Sequence, residues 1–142
     1  MFDLASIAVV DTSILHLKGP DDELLYSVEG EGVRHPVQAV LYGPGSKQYN
    51  TAQSARQSKA IARLQKKGSA TASTGEQNAD QVDFLTAITV RFENLVYSKA
   101  PGATGEALHR AIYADPTVGF IGEQVAKHTG DWANFTKGSA TS

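Results

Sequence analysis

The sequence predicts an α+β fold: a small N-terminal antiparallel β-meander followed by a mainly helical part of about four helices. Three observations carry the prediction. Residues 7–42 hold three short runs rich in β-branched and apolar residues, each bounded by turn-forming residues. Beyond residue 46 the apolar residues recur instead at spacings of three and four. Between the two regimes stands Gly43-Pro44-Gly45, which can continue neither a strand nor a helix, because Pro44 has no amide donor and glycine tolerates unusual dihedrals.

The first run, residues 7–18, is IAVVDTSILHLK, whose second half partly alternates. Gly19-Pro20-Asp21-Asp22 turns the chain, since proline presets one dihedral and the aspartates bond their own backbone. Residues 23–28, ELLYSV, make a second strand, and Gly30 and Gly32 turn it into a third over residues 33–42. In that third strand Val37, Ala39 and Leu41 share one face and Gln38, Val40 and Tyr42 the other. Pro36 belongs at its start or on an edge.

Ser46 is placed to cap a helix over residues 47–67. This helix carries six cations and no acid; Arg56, Lys59, Arg63 and Lys66, with Lys67 beside them, fall on one face. Ile61 and Leu64 lie opposite and are expected to anchor the helix to the body. After the polar link of residues 68–73, Thr74 and Gln77 suggest a capping box opening a helix over residues 75–96. Its stripe of Phe84, Leu85, Ile88, Phe92 and Leu95 is expected to centre the core, although the run Ala87 to Val90, AITV, weakens the helix slightly because β-branched residues are less comfortable there. A third helix spans residues 105–113, with Thr104 as cap and Leu108 and Ile112 inward. Asp115-Pro116 restarts a fourth over residues 116–128, which Gly130 stops. The expected organisation is one domain over residues 1–135, β-rich to residue 42 and helical from 46, with a disordered tail over residues 136–142.

Charge is segregated. Residues 1–46 hold seven acids and two bases, residues 47–67 six bases alone, and residues 68–142 eight acids and five bases. A basic block between acidic segments favours an oppositely charged neighbour, either in the same fold or on a partner. The chain has no cysteine, which excludes disulfides and thiolate metal sites. No apolar run is long enough to cross a bilayer, and Asp3 stands where a signal peptide carries positive charge. The expected place is the cytoplasm, with no membrane contact.

Catalytic patterns are missing. His16, His35, His109 and His128 lie in separate elements at no metal-ligand spacing. The run from Gly43 to Lys47 has neither the glycine spacing nor the lysine position of a phosphate loop. No G-x-S-x-G elbow presents a serine nucleophile. Asp80 and Asp83, near a helix start, serve the dipole. A non-enzymatic protein without cofactor or metal is expected. For the basic helix the default is a solvated face, followed by an acidic protein partner. Nucleic acid comes last, because no aromatic among residues 56–67 can stack on bases.

Three stretches resemble the tail assembly chaperones of long-tailed bacteriophages. The first is Tyr42-Gly43-Pro44-Gly45-Ser46-Lys47-Gln48-Tyr49 with Ala52-Gln53 and Ala55-Arg56. The second is Ala87-Ile88-Thr89-Val90 with Phe92 and Asn94. The third runs from Tyr113 through Asp115-Pro116, Gly119-Phe120-Ile121 and Gln124-Val125 to Gly130-Asp131-Trp132 with Asn134-Phe135. The resemblance implies binding to the tape measure protein, recruitment of tail tube subunits in the host cytoplasm, and absence from the finished virion. Self-association is compatible with it, as is a frameshifted longer form. A minor structural component of the tail, or a nucleic-acid-binding accessory using residues 47–67, is the alternative. A tape measure protein exposes apolar stripes that a partner must cover reversibly. Candidate contacts are the basic stripe together with Trp132 and Phe135; each of these two aromatics suits a hydrophobic clasp as well as a contact surface, and Phe120 suits the core.

Overall fold

A computed structural model describes residues 1–68 and 73–137. The expected tail beyond residue 137 and most of the link at 69–72 lie outside them, as does the side chain of Lys67.

The fold is α+β, as the change of period predicts, with antiparallel strands first and four helices after. Strands β1 (Thr12–His16), β2 (Tyr26–Glu29), β3 (Val33–Pro36) and β4 (Gln38–Tyr42) precede helices α1 (Lys47–Lys67) and α2 (Thr74–Ala87). A fifth strand, β5 (Thr89–Glu93), follows, then α3 (Gly105–Ala114) and α4 (Gly119–Thr129). Short 3-10 turns sit at Leu4–Ile7, Pro116–Val118 and Trp132–Phe135.

The strands do not form a simple meander. The third expected strand breaks at Val37: its first half pairs with β2 as a separate hairpin, and its second half becomes the centre of a three-stranded sheet of order β1-β4-β5. At the junction the Leu17 amide donates to the Val37 carbonyl, Val37 to Leu25, and Leu25 to Leu17, at 2.9–3.0 Å. This closed ring of backbone bonds lets one segment leave the sheet and another enter without an orphaned amide. Pro36 lies at the end of β3 in the two-stranded hairpin, where a missing donor is tolerated. Residues 7–11 precede the sheet instead of belonging to it, because Asp3 accepts a hydrogen bond from the Ala5 amide and starts a 3-10 turn.

The expected helix over residues 75–96 is wrong in its second half. α2 stops at Ala87, and Thr89–Glu93 turns into an edge strand on β4, with Ala39 opposite Phe92 and Gln38 opposite Glu93. The β-branched residues decide locally, and the unpaired side of β4 supplies the hydrogen-bond partners that the helix gives up. A bulge lies between Val40 and Leu41, where the register with β5 shifts. The α2 cap is Ser73 instead of Thr74: its hydroxyl accepts from the Glu76 amide, and Glu76 reaches back to complete the box.

Phe84, Leu85 and Ile88 are buried as expected, joined in one cluster by Leu17, Ala39, Leu41, Ile112, Ile121 and Val125. Phe92 is only partly buried; it leans edge-on against His109. Val40, on the other face of β4, is also buried. Ile61 and Leu64 are not anchors: they are 56% and 52% exposed. The opposite face of α1 meets the protein.

Candidate functional site

α1 is seated by its basic face. Near its start Ala52 is buried and the Tyr49 ring stands edge-on to Phe84 of α2, with centroids 5.4 Å apart. One turn further on, the Arg56 guanidinium lies 3.7 Å over the same Phe84 ring and donates to Gln81. Ion pairs then take over. Lys59 reaches Asp83 at 2.5 Å and Asp80 at 3.7 Å, while Arg63 bonds Glu76 at 2.8 Å and also Asp80. Asp83 is shared with Arg110 of α3. The hydrogen bond from Lys59, then that from Arg110, holds the Asp83 carboxyl below its ordinary range. Asp80 and, to a lesser degree, Glu76 make Arg63 a still weaker acid than free arginine. Two of the five candidate cations, Lys59 and Arg63, therefore face carboxylates of the same chain, a third, Arg56, faces the Phe84 ring, and Arg63 is only 13% exposed. Lys66 remains exposed. Of the two acceptors that charge segregation allows, the same fold takes this face.

A second region forms where two of the resembling stretches meet. Phe135 is fully buried, its ring so close over Gly43 that a Cβ there would sit 2.3 Å from it. Only glycine fits at that position. The Ser46 hydroxyl donates to the Gly43 carbonyl at 2.7 Å and accepts from the Tyr49 amide at 3.1 Å, so one side chain fixes both the hinge and the start of α1. The Val10 amide donates to the Phe135 carbonyl at 2.8 Å, and Ser13 is bonded to His128 at 2.7 Å. Phe135 is thus a clasp rather than a contact surface. Trp132 is the reverse: it touches the corner at Gly45, beside Val9, and is 57% exposed. The chain leading into this corner carries Phe2, Leu4 and Ile7, each more than 60% exposed. Sequence pattern alone puts Ile7 in the first strand and leaves Phe2 and Leu4 without an element; the spacing of two and three among them was the available signal.

The third feature is an apolar groove of about 600 Å³ between the β2–β3 hairpin, residues 94–97 and the start of α4, lined by Leu25, Tyr26, Val37, Leu95, Val96 and Phe120 among others. Tyr97 fixes its wall by donating to Asp115, which also pairs with Lys99 at 3.2 Å. These bonds, that from the Tyr97 hydroxyl foremost, hold the Asp115 carboxyl far below its ordinary range.

The histidines do structural work. His16 bonds the Leu25 carbonyl at 2.9 Å, His35 lies 3.8 Å from Glu29, and His109 packs on Phe92. Ser13 beside His128 has the spacing of a nucleophile and base, but it is 1% exposed and joins β1 to α4. Among the described residues no three His, Cys, Asp or Glu side chains gather as metal ligands, and no helix is long and apolar enough to cross a membrane. No family model, curated protein or solved structure matches the chain.

Burial lowers the affinity of His109 and His128 for protons, outweighing the opposing pull of Glu106 and Asp131. Both therefore hold a proton less tightly in the fold than in the unfolded chain, where they protonate near the ordinary value of 6.5. The unfolded state binds more protons below that value, so this contribution to stability is complete above pH 6.5 and is lost as pH falls. Urea midpoints should drop between about pH 7.5 and pH 5.5, and His128→Gln should shrink the drop. An identical pH dependence in wild type and variant would refute the assignment for His128.

Proposed function

We propose that this chain is a tail assembly chaperone of a long-tailed bacteriophage, which binds the tape measure protein and recruits tail tube subunits without chemistry of its own. The observation that carries the reading is the corner at Gly43, Gly45 and Phe135. There, residues of two stretches that resemble the family and lie about ninety positions apart pack on one another, and they leave Trp132 largely exposed. A client with an exposed apolar stripe needs a partner that covers it reversibly. Trp132, with Phe2, Leu4 and Ile7 on the adjoining N-terminal segment, offers such a surface. Tryptophan at the centre of an apolar contact commonly contributes most of its energy.

The contact moves accordingly from the basic stripe to this apolar corner. Arg56, Lys59 and Arg63 are engaged by α2, which leaves few cations for phosphates and weakens the nucleic-acid alternative. As a chaperone the protein would act in the host cytoplasm and be missing from finished particles; as a minor tail component it would be found in them by mass spectrometry of purified virions.

Co-expression with the tape measure protein tests the assignment. Trp132→Asp should abolish co-purification and lower the soluble yield of the client, a loss of about 2 kcal/mol or more in binding, roughly 30-fold. Lys66→Glu should leave both unchanged. Full co-purification of the Trp132→Asp chain would remove the corner as the contact, and failure of the wild type to retain any tail protein would end the reading itself.

A further inference from the structure

A recess of about 420 Å³ lies between α2, β5 and the start of α3, within the size range of small-molecule sites. It shares no lining residue with the apolar groove or with the Trp132 corner. One wall is the first turn of α3, which has no side-chain cap: Thr104 makes no bond to it, whereas Ser46 and Ser73 close α1 and α2. The amides of Gly105, Glu106 and Ala107 have no acceptor among the described residues. Two buried polar side chains line the same recess without a hydrogen-bond partner. The Thr86 hydroxyl is the one buried side-chain polar atom among the described residues that bonds nothing, on a residue only 5% exposed. His109, equally covered, packs on Phe92 and makes no hydrogen bond among the described residues. Packing gives no reason for an orphaned hydroxyl, which costs stability. A group that enters the recess and bonds it does. We propose that this recess binds a small monocarboxylate with a short apolar tail, a function separate from any contact with tail proteins.

The donors select an anion. Free amides at a helix start, a guanidinium, an unbonded hydroxyl and an imidazole N–H all offer hydrogen to an oxygen acceptor. Thr89, the other hydroxyl of the recess, is already engaged by the Leu85 carbonyl and by Tyr113, so Thr86 is the one left for a ligand. The charge balance limits the anion to a single negative charge. Asp83 is held by Lys59 as well as by Arg110, and Arg110 also touches Glu106. That last contact is loose, at 3.4 Å, and the Glu106 side chain is 76% exposed. A ligand carboxylate can take its place on Arg110 while Glu106 turns into water. With Asp83 balanced by Lys59, the guanidinium then offers one positive charge to one negative charge, which suits a carboxylate and not a phosphate dianion. Ala87 and Val90 supply an apolar side to the recess, which is where a short hydrocarbon tail finds contact.

Titration of the isotope-labelled chain with sodium butyrate, followed by amide NMR at neutral pH and fixed ionic strength, tests this. The amides of Gly105, Glu106 and Ala107 should shift together and saturate, with a dissociation constant on the order of 1 mM for so small a ligand. Thr86→Val keeps the shape and removes the hydroxyl. It should weaken butyrate about tenfold, while the melting temperature of the free chain stays or rises, because an orphaned polar group has been lost. A hydroxyl with a purely structural role would move the melting temperature down and leave butyrate alone. Arg110→Gln should also weaken butyrate about tenfold or more. Glu106→Gln removes the competing carboxylate and should tighten butyrate about two- to fivefold. Butylammonium and inorganic phosphate should not shift these amides. Glutamate blocked as its N-acetyl amide carries the same carboxylate in peptide form and should bind more weakly than butyrate. Absence of a saturable butyrate shift overturns the proposal, as does full affinity in folded Thr86→Val. Looser binding in Glu106→Gln, or saturable binding of butylammonium, reverses the sign of the ligand and overturns it too. Tighter binding of phosphate rules out the monocarboxylate, and tighter binding of the blocked glutamate replaces the free acid by an acidic side chain of a partner. No tail protein enters these titrations, so this proposal and the chaperone assignment can fail separately.

Discussion

Phe135→Ala is expected to lower the free energy of unfolding by about 3–5 kcal/mol, the range for removing a large aromatic from a close-packed site. Phe135 is completely buried, lies against His128 with centroids 5.5 Å apart, and covers Gly43. A chain of this size should lose roughly 10 °C or more in melting temperature. Gly43→Ala attacks the same contact from the other side by driving a methyl group into the ring, and overpacking of this kind costs about 1–3 kcal/mol or more. The two changes should not add. Removing the ring makes room for the methyl, so the double variant should recover at least about 1 kcal/mol of the summed loss. Chemical denaturation of the four proteins in the cycle checks this. A cost below about 1 kcal/mol for Phe135→Ala, or strict additivity, would mean that the ring does not sit on the hinge.

Arg63→Glu should free the second half of α1. The substitution sets a third carboxylate against Glu76 and Asp80, where a nearly covered guanidinium now bridges them. Beyond Ala52 no residue of α1 whose side chain is described is fully buried, so this half has little apolar contact to fall back on. Amide exchange over residues 56–66 should accelerate by orders of magnitude, while the amides of β4 should keep their protection. Lys66→Glu, at an exposed position, should change neither. Unchanged exchange along α1 in Arg63→Glu would show that the ion pairs are incidental. On a solvated face, the default expected for the basic helix, reversing Arg63 would be harmless; its geometry makes it the least neutral of the basic positions.

Why the sequence misleads at α1 is instructive. Ile61 and Leu64 are the large apolar residues in that half of the helix, and burial of apolar area is the usual guide to the inward face. Here Glu76, Asp80 and Asp83 of the next helix reverse it. Those carboxylates follow 13 to 24 residues after the cations they pair with, and the segregation of charge pointed to an acceptor, but nothing in one dimension said that it lay in the same chain. β5 was hidden differently. Phe92 and Leu95 continue a helical spacing from Ile88 by coincidence, and the need of β4 for a second neighbour is a property of the sheet, invisible in residues 89–93 themselves. The elements fixed by local chemistry were legible: the hinge at Gly43-Pro44-Gly45, the Ser46 cap, the restart at Asp115-Pro116 and the stop at Gly130 all stand where their side chains and backbones require. At the candidate corner, Trp132 and Phe135 were both marked, but their division into contact and clasp depends on which one finds Gly43.

The placement of β4 between β1 and β5 has a consequence for how the chain reaches its native state. Hairpin β2–β3 and helix α1 close over short sequence separations and can form while the chain is still incomplete. The central strand cannot be finished then, because Leu41 awaits Thr89 and Gln38 awaits Glu93. Until the polypeptide has extended past Glu93, one side of β4 is an open row of donors and acceptors, available to any other strand in the cell. The interval between synthesis of β4 and arrival of β5 is therefore the period of greatest exposure to misassembly, and folding should be limited by that long-range closure rather than by any helix.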